Sequence, residues 1–338
     1  MTPRIITRPE LDKLLDELAA STALFAPAKN KKKQWTEFRR VKSAAEIDTT
    51  RVNTKQPVKG LFFPQCEVMF RFKPGSAPEE AAAIEERVVF GVRPCDAHAL
   101  EVLDKVFVDP TRPDPYFRRR RAAATVVGIA CNEPADTCFC AGVGGSPSGT
   151  RGLDLLLVDL GGKFLARPVT PKGQKLVERF PEAGPDDLGR ARELAATADS
   201  KITWAADTAR LKRKLDKGFD SPAWEAVMDS CVNCGACTLL CPTCHCFDVT
   251  DEEHKGTGAR VRVWDSCQFC VYSQHASGHN PRNARHSRWR NRVMDKFKYT
   301  VDMVAEVSCV GCGRCIIECP SSIDIRATVD ALDKALPD

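Results

Sequence analysis

Seventeen cysteines dominate the chemistry open to this 338-residue sequence. Eight of them form two copies of one motif, in which three cysteines are separated by two residues each and a fourth precedes a proline. The copies are Cys231, Cys234, Cys237 and Cys241, and Cys309, Cys312, Cys315 and Cys319. Three thiolates at this spacing bind three corners of a [4Fe–4S] cubane, while the fourth is presented to the neighbouring cluster. The motif therefore predicts two clusters that lie close together.

The crossing of the fourth ligand fixes the expected sets. They are Cys231, Cys234, Cys237 and Cys319 for one cluster, and Cys309, Cys312, Cys315 and Cys241 for the other. A zinc site is the alternative, but zinc sites pair two CxxC units and need no proline after a fourth cysteine. Because residues 243–308 separate the motifs, the sequence excludes a compact two-cluster ferredoxin and favours a helical dicluster domain.

A second cysteine group lies upstream. Cys95 ends the run VVFGVRPC and Cys131 ends TVVGIAC, so each follows an apolar strand where a loop begins. Loops at the carboxyl ends of neighbouring strands build sites in α/β sheets. With Cys138 and Cys140, these thiols predict a third iron–sulfur cluster. Zinc binding and simple burial of the thiols remain open alternatives.

The remaining cysteines carry a weaker signal. Four thiols that follow or separate the motifs are either ligands of a further cluster or part of the cavity lining: Cys244, Cys246, Cys267 and Cys270. Cys66 has no evident partner. The glycine-rich segment 141–149 lacks the third glycine of a nucleotide loop. No Ser/His/Asp or paired-carboxylate arrangement is visible, so we name no catalytic residue, and the pattern is typical of an electron carrier.

The elements that must position these thiols predict an α+β protein. Short β-rich runs cover 61–63, 67–72, 87–92 and 125–130, and 153–169 predicts a hairpin around two glycines. Helical stretches over 77–87 and 96–107 lie between them. We expect a mixed α/β domain over 1–215, which holds the extra iron–sulfur site, and a mostly helical dicluster domain over 216–338.

Charge and hydropathy restrict the partners. The formal net charge of +5 is modest for this length and indicates a solvated surface rather than nucleic-acid binding. The longest apolar stretch, 153–160, contains two aspartates and is too short to span a bilayer. Without an export signal we expect the reducing cytoplasm. Five arginines in the insert either offset cluster charge or dock a partner, or they form a solvated face: Arg282, Arg285, Arg288, Arg290 and Arg292.

Together these motifs resemble the iron–sulfur β subunits of soluble NiFe hydrogenases, the sulfhydrogenases, and the related iron–sulfur subunits of anaerobic sulfite reductases. The likeness runs through segments 54–72, 90–100, 131–140, 231–249, 264–269, 277–282 and 309–325. It implies an electron relay between two partners, a flavin-containing, NAD(P)-binding subunit on one side and a catalytic subunit with its own metal centre on the other. It supports the eight dicluster cysteines as ligands and is consistent with the upstream set as ligands of a third cluster. Cys66 and Cys270 depart from the family pattern.

The resemblance leaves the terminal reaction open, because related relays serve hydrogenases, sulfite reductases and heterodisulfide reductase-like assemblies. A hydrogenase-type relay predicts reducible clusters and no turnover by the isolated chain. A thiol or sulfur-compound reductase would instead use the four weaker cysteines, from Cys244 to Cys270, and would reduce a substrate by itself. A zinc scaffold would be colourless and would give no paramagnetic signal on reduction.

Overall fold

The computed structural model describes residues 1–30, 32, 35–80 and 84–337. Strands and helices both contribute widely, which confirms the predicted α+β class. The strands are β1 (Arg4–Thr7), β2 (Ala23–Asn30), β3 (Trp35–Arg40), β4 (Cys66–Phe72), β5 (Glu79–Glu80), β6 (Arg87–Val92), β7 (Ala124–Ile129), β8 (Leu155–Asp159), β9 (Lys163–Pro168), β10 (Phe247–His254) and β11 (Thr257–Trp264). The helices are α1 (Arg8–Ser21), α2 (Pro94–Phe107), α3 (Pro115–Ala122), α4 (Pro171–Val177), α5 (Pro185–Ser200), α6 (Thr208–Lys217), α7 (Ala223–Val227), α8 (Ala236–Leu239), α9 (Arg285–Met294), α10 (Thr300–Val304), α11 (Arg314–Ile317) and α12 (Ile325–Ala335).

A seven-stranded sheet forms the N-terminal part, in the order β1-β9-β8-β7-β6-β2-β3. Its four central strands, β8, β7, β6 and β2, run parallel to one another, and the outer strands pair antiparallel. Apolar runs such as those of β6 and β8 suit parallel strands because helices cover both faces of such a sheet. The hairpin predicted over 153–169 is confirmed, since β8 and β9 are antiparallel and join at Gly161 and Gly162.

Helices cover the two faces of this sheet. On one face, α1 and α4 bury Leu11, Leu15 and Val177 against the strands. On the other, α2, α3 and α5 bury a second apolar cluster that includes Leu103 and Phe117. Because α2 begins directly after β6, the residues at its first turn lie at the carboxyl edge of the sheet. The same edge receives the segment that follows β7.

A four-stranded sheet of order β10-β11-β4-β5 joins distant parts of the chain. The hairpin of β10 and β11 packs its inner strand on β4, with Val261 opposite Val68. Arg262, only 1% exposed, binds Glu67 through two nitrogens, and Arg120 donates to the same carboxylate. This buried ion network fixes the hairpin against α3, so residues about 195 positions apart along the chain form one unit.

The C-terminal helices build a third core. Leu215, Trp224, Val293 and Leu332 are buried within it, and Phe139 joins them from a loop that follows β7. Within the insert between the two motifs, α9 begins at Arg285. It continues through a π-helical turn, Asp295–Tyr299, into α10. π-helical turns are rare and are found frequently at functional sites.

Two local expectations were wrong. The run 61–63 is not a strand; a 3₁₀ turn, Val58–Leu61, precedes Phe62 and Phe63, which are fully buried. A short apolar run does not distinguish a strand from another buried segment. In the stretch expected to be helical over 77–87, Glu79–Glu80 forms strand β5 against β4. Positions 81–83 of that stretch lie outside the described residues.

Candidate metal centres

The first three cysteines of the first motif and the last cysteine of the second line one cavity. We call it the Cys231 cavity; the thiols of Cys231, Cys234, Cys237 and Cys319 line it, and Cys315 of the second motif adds a fifth. The loop ahead of α8 wraps it with positive φ angles at Asn233 and Gly235. A β-carbon at Gly235 would lie 2.7 Å from the Phe269 ring. Backbone N–H groups point at the sulfurs, with Asn233 donating to Cys231 over 3.4 Å.

The second motif lines the next cavity, which we call the Cys309 cavity. Its thiols belong to Cys309, Cys312, Cys315 and Cys241. The structure thus brings together both expected sets, with each fourth cysteine crossed to the other motif. Burial raises the pKa of the Cys309, Cys312 and Cys315 thiols to about 12, since the apolar surroundings disfavour the thiolate. A bound metal would offset this cost because it binds the deprotonated sulfur.

The upstream cysteines line a third cavity, the Cys95 cavity, with the thiols of Cys95, Cys131, Cys138 and Cys140. Cys95 lies in the first turn of α2, and Cys131 lies two positions after the end of β7. Cys138 and Cys140 lie on the loop after β7, where Phe139 donates to the carbonyl of Gly311 over 2.8 Å. Burial raises the pKa of Cys131 to about 11 and that of Cys140 to about 12.

The three cavities form a row. Gly311 lines both the Cys95 and the Cys309 cavities, while Cys315 lines both the Cys309 and the Cys231 cavities. Gly311 has a φ of 64°, and a β-carbon there would overlap the backbone of Phe139 and Cys140. Only glycine permits this approach of the two loops. The Cys309 cavity therefore lies in the middle of the row.

Buried positive charge surrounds the middle of the row. Arg292 lines the Cys309 cavity, and its Nη1 lies 3.6 Å from the Cys244 sulfur. Lys296, also buried, donates to Thr243 over 3.1 Å. Lys59 donates to the Cys244 carbonyl, and burial lowers its pKa to about 8. Such cations would offset the negative charge of thiolates and of a thiolate-bound cluster.

The five arginines of the insert do not all fit one interpretation, either a role at the clusters or partner or a solvated face. Arg288 and Arg292 are buried, whereas Arg285 is exposed and donates to the Cys231 carbonyl over 3.3 Å. Arg290 donates to the Phe219 carbonyl and lies over its ring. The helix α9 is thus not simply a solvated face: one side of it places a guanidinium at the Cys309 cavity.

The weaker group of four cysteines is divided. Cys244 is buried beside the Cys241 sulfur. Cys246 and Cys267 are electrostatic neighbours, and Tyr272 donates to Cys246 over 3.7 Å. Cys270 is exposed, as is Cys66 at the start of β4. In the part of the chain that the structure describes, no group of three or more His, Cys, Asp and Glu side chains could hold a single metal ion as it stands.

The residue motifs did not single out the ion pair that joins the Cys95 and Cys309 cavities. Arg314, just before Cys315, donates to both carboxylate oxygens of Asp96 at 2.6 and 2.7 Å. Both side chains are almost fully buried. Asp96 follows Cys95 directly, so one bidentate contact fixes α2 against the second motif. The sequence offered one signal for this ion pair: Asp96 and Arg314 are each next to a cysteine that is a candidate ligand. His98 is also buried, with its Nε2 3.3 Å from a carboxylate oxygen of Glu306.

The C-terminal part has the class of an iron–sulfur dicluster protein, as comparison with known families shows. Residues 230–323 match the family model described as the 4Fe-4S dicluster domain. Beyond that part, the chain is similar to the sulfhydrogenase 2 subunit beta of Pyrococcus furiosus. The two are 33% identical over 304 residues, which make up 88% of this chain and 89% of the relative. The chain belongs to the family of sulfhydrogenase beta subunits, which confirms the resemblance seen in its motifs.

No solved structure matches the chain. Among the described residues, no helix is both long enough and apolar enough to cross a membrane.

Proposed function

We propose that the chain binds three [4Fe–4S] clusters and relays electrons along them, as a subunit of a cytoplasmic, hydrogenase-type oxidoreductase complex. The observation that carries the proposal is the row of three cavities, each lined by at least four cysteines and sharing a wall residue with the next. A [4Fe–4S] cluster takes up and releases single electrons. Electron transfer requires short separations, and shared walls at Gly311 and Cys315 supply them.

The donor sets fit this cofactor. Each cavity offers at least the four thiols that a [4Fe–4S] cluster requires. The proposed ligands are those of the Cys231, Cys309 and Cys95 cavities. Backbone N–H groups of Asn233 and Ile323 donate to the Cys231 and Cys319 sulfurs at 3.4 and 3.3 Å. Such bonds, together with buried charge and exposure, tune reduction potentials.

The two ends of the row differ in a way that suits a relay. At one end Cys234 is exposed at the rim of the Cys231 cavity. At the other end Cys131 lines both the Cys95 cavity and an open cleft. We assign these ends to the two partners that the family implies: one binds flavin and NAD(P), and the other is catalytic and contains a metal. In this proposal residues 1–215 hold the Cys95 set and residues 216–338 hold the dicluster.

Iron and acid-labile sulfide counts on the anaerobically purified full chain test the proposal. Three cubanes give about twelve iron atoms per chain, and two give about eight. We expect Cys95→Ser to lower the iron count from about twelve to about eight atoms per chain, while the paramagnetic signals of the two dicluster clusters remain. Cys66→Ser is the matched control, because Cys66 is exposed and lies in none of the three cavities. A wild-type count near eight, unchanged by Cys95→Ser, contradicts the third cluster; colourless zinc protein contradicts the whole proposal.

A further inference from the structure

A wide cleft opens at the carboxyl edge of the seven-stranded sheet. It has a volume of about 550 Å³, within the roughly 300–1,000 Å³ typical of small-molecule sites. Its walls come from the segments that follow β6, β7 and β8, together with α1, α5 and the loop around Thr49. Ligands of open α/β sheets bind outside the carboxyl ends of the strands. Both the place and the size of this cleft therefore suit a ligand.

Three arginines from three separate elements line the cleft: Arg8, Arg93 and Arg190. Arg93 donates to the carbonyls of Thr49 and Arg51, both at 2.9 Å, and to that of Ala130 at 3.3 Å. The carbonyls are dipoles, so they hold the guanidinium in place without cancelling its charge, and the Cys131 sulfur is a further acceptor. Arg8 lies over the Phe164 ring, with its guanidinium carbon 4.5 Å from the centroid.

The two acidic residues of the lining, Glu133 and Asp159, each have a cationic partner. Glu133 forms an ion pair with Lys201, which lies outside the lining. Asp159 accepts from the N–H of Gly161 over 2.9 Å and lies 3.7 Å from Arg8. Arg190 forms an exposed ion pair with Glu193, whose Oε2 lies 3.2 Å from its Nη1, so the surplus positive charge of the cleft is that of Arg93. Its apolar walls, Ile129, Leu160 and Leu194, would cover a small organic group.

We propose that this cleft binds a small phosphate-bearing ligand, no larger than a mononucleotide. Guanidinium forks match phosphate oxygens in pairs, and such charge-assisted hydrogen bonds are among the stronger ones. Arg8, Arg93 and Arg190 would hold the phosphate, and Ile129 and Leu194 would contact the remainder. The ligand would then lie beside Cys131. The further statement that a cluster lies beside this position rests on the proposed function.

Calorimetric titration of the cluster-loaded full chain tests this site with three probes: inorganic phosphate, pyrophosphate and FMN. We expect at least one probe to bind, and Arg8→Gln and Arg190→Gln each to weaken it about tenfold, as losing a charged hydrogen bond does. Arg192→Gln is the matched control, because Arg192 lies on the same helix as Arg190, is exposed and does not line the cleft. Binding of phosphate or pyrophosphate indicates a free phosphate ligand, and binding of FMN alone indicates a nucleotide.

Two results overturn the site: no binding of any probe at millimolar concentration, or equal weakening by Arg192→Gln. The paramagnetic signal that Cys95→Ser removes should change when the probe is bound. If the probe binds and this signal stays constant, the placement beside Cys131 is wrong. Iron counts on the same sample separate the two proposals. A full count without binding refutes only the cleft, whereas arginine-dependent binding with a count near eight refutes only the third cluster.

Discussion

Replacing Arg292 by glutamine removes one buried charge from the middle of the row. Its side chain is only 2% exposed and lines the Cys309 cavity. Its Nε has no hydrogen-bond partner among the described residues. The sulfurs of Cys237 and Cys315, from two different cavities, are both electrostatic neighbours of the guanidinium. The charge would therefore act on both of the clusters proposed for the dicluster part, and most strongly on the one in the cavity that it lines.

The size of the effect follows from Coulomb's law. Two unit charges about 4 Å apart interact by about 4 kcal/mol at an effective dielectric constant of about 20, and by half as much at about 8 Å. For a one-electron couple, about 1.4 kcal/mol corresponds to about 59 mV. Reduction adds an electron, so losing the cation makes reduction harder. We expect the potential of the cluster in the Cys309 cavity to fall by on the order of 100 mV.

A redox titration followed by low-temperature paramagnetic resonance measures this shift in the loaded chain. The cluster of the Cys231 cavity should shift less, and that of the Cys95 cavity least. Arg292→Lys keeps the charge and should stay close to the wild type. Arg290→Gln is the matched control on the same helix, because its guanidinium lies 3.8 Å over the Phe219 ring. Unchanged potentials in a fully loaded Arg292→Gln protein, or an equal shift in Arg290→Gln, would refute the reasoning.

Three further substitutions test the packing around the row. Asp96→Asn leaves the buried Arg314 charge without its carboxylate, which should lower the free energy of unfolding by about 3–5 kcal/mol in denaturant titration. Equal stability of variant and wild type would contradict a buried pair. Gly311→Ala forces a β-carbon into the loop that carries Cys140 and should reduce iron content, while Gly189→Ala, in open space on α5, should not. Glu67→Gln should weaken the contact with Arg262 and increase proteolysis of the β10–β11 hairpin; an unchanged cleavage rate would count against the network.

The cysteine sets were accessible from the sequence because chain spacing alone dictates them. Three thiols within seven residues share one loop, whatever the rest of the fold does. The upstream set was accessible for another reason: Cys95 and Cys131 each follow an apolar strand, and neighbouring parallel strands end at one edge. In both cases a local pattern carried the information. The structure brings these thiols together as expected, and iron analysis is what tests them as ligands.

Features that depend on distant contacts were not accessible in the same way. Lys59 and Lys296 look like ordinary surface lysines in the sequence, and only packing buries them near Cys244. The hairpin of β10 and β11 was not predicted because every residue of β10 is exposed and the strand is rich in acidic residues. A signal was present: Lys255 and Gly256, both with positive φ, form the two-residue turn that favours a hairpin.

The Asp96–Arg314 pair has a consequence for modularity. It joins residues 218 positions apart along the chain, and Arg314 lies inside the range that matches the dicluster family model. That range is therefore not an independent module. Placed in another protein, it would leave the Arg314 guanidinium without its carboxylate and would expose the loop at Gly311 to solvent. Recombination that exchanged only the dicluster would lower the stability of the product. The N-terminal sheet and the dicluster should therefore be inherited together.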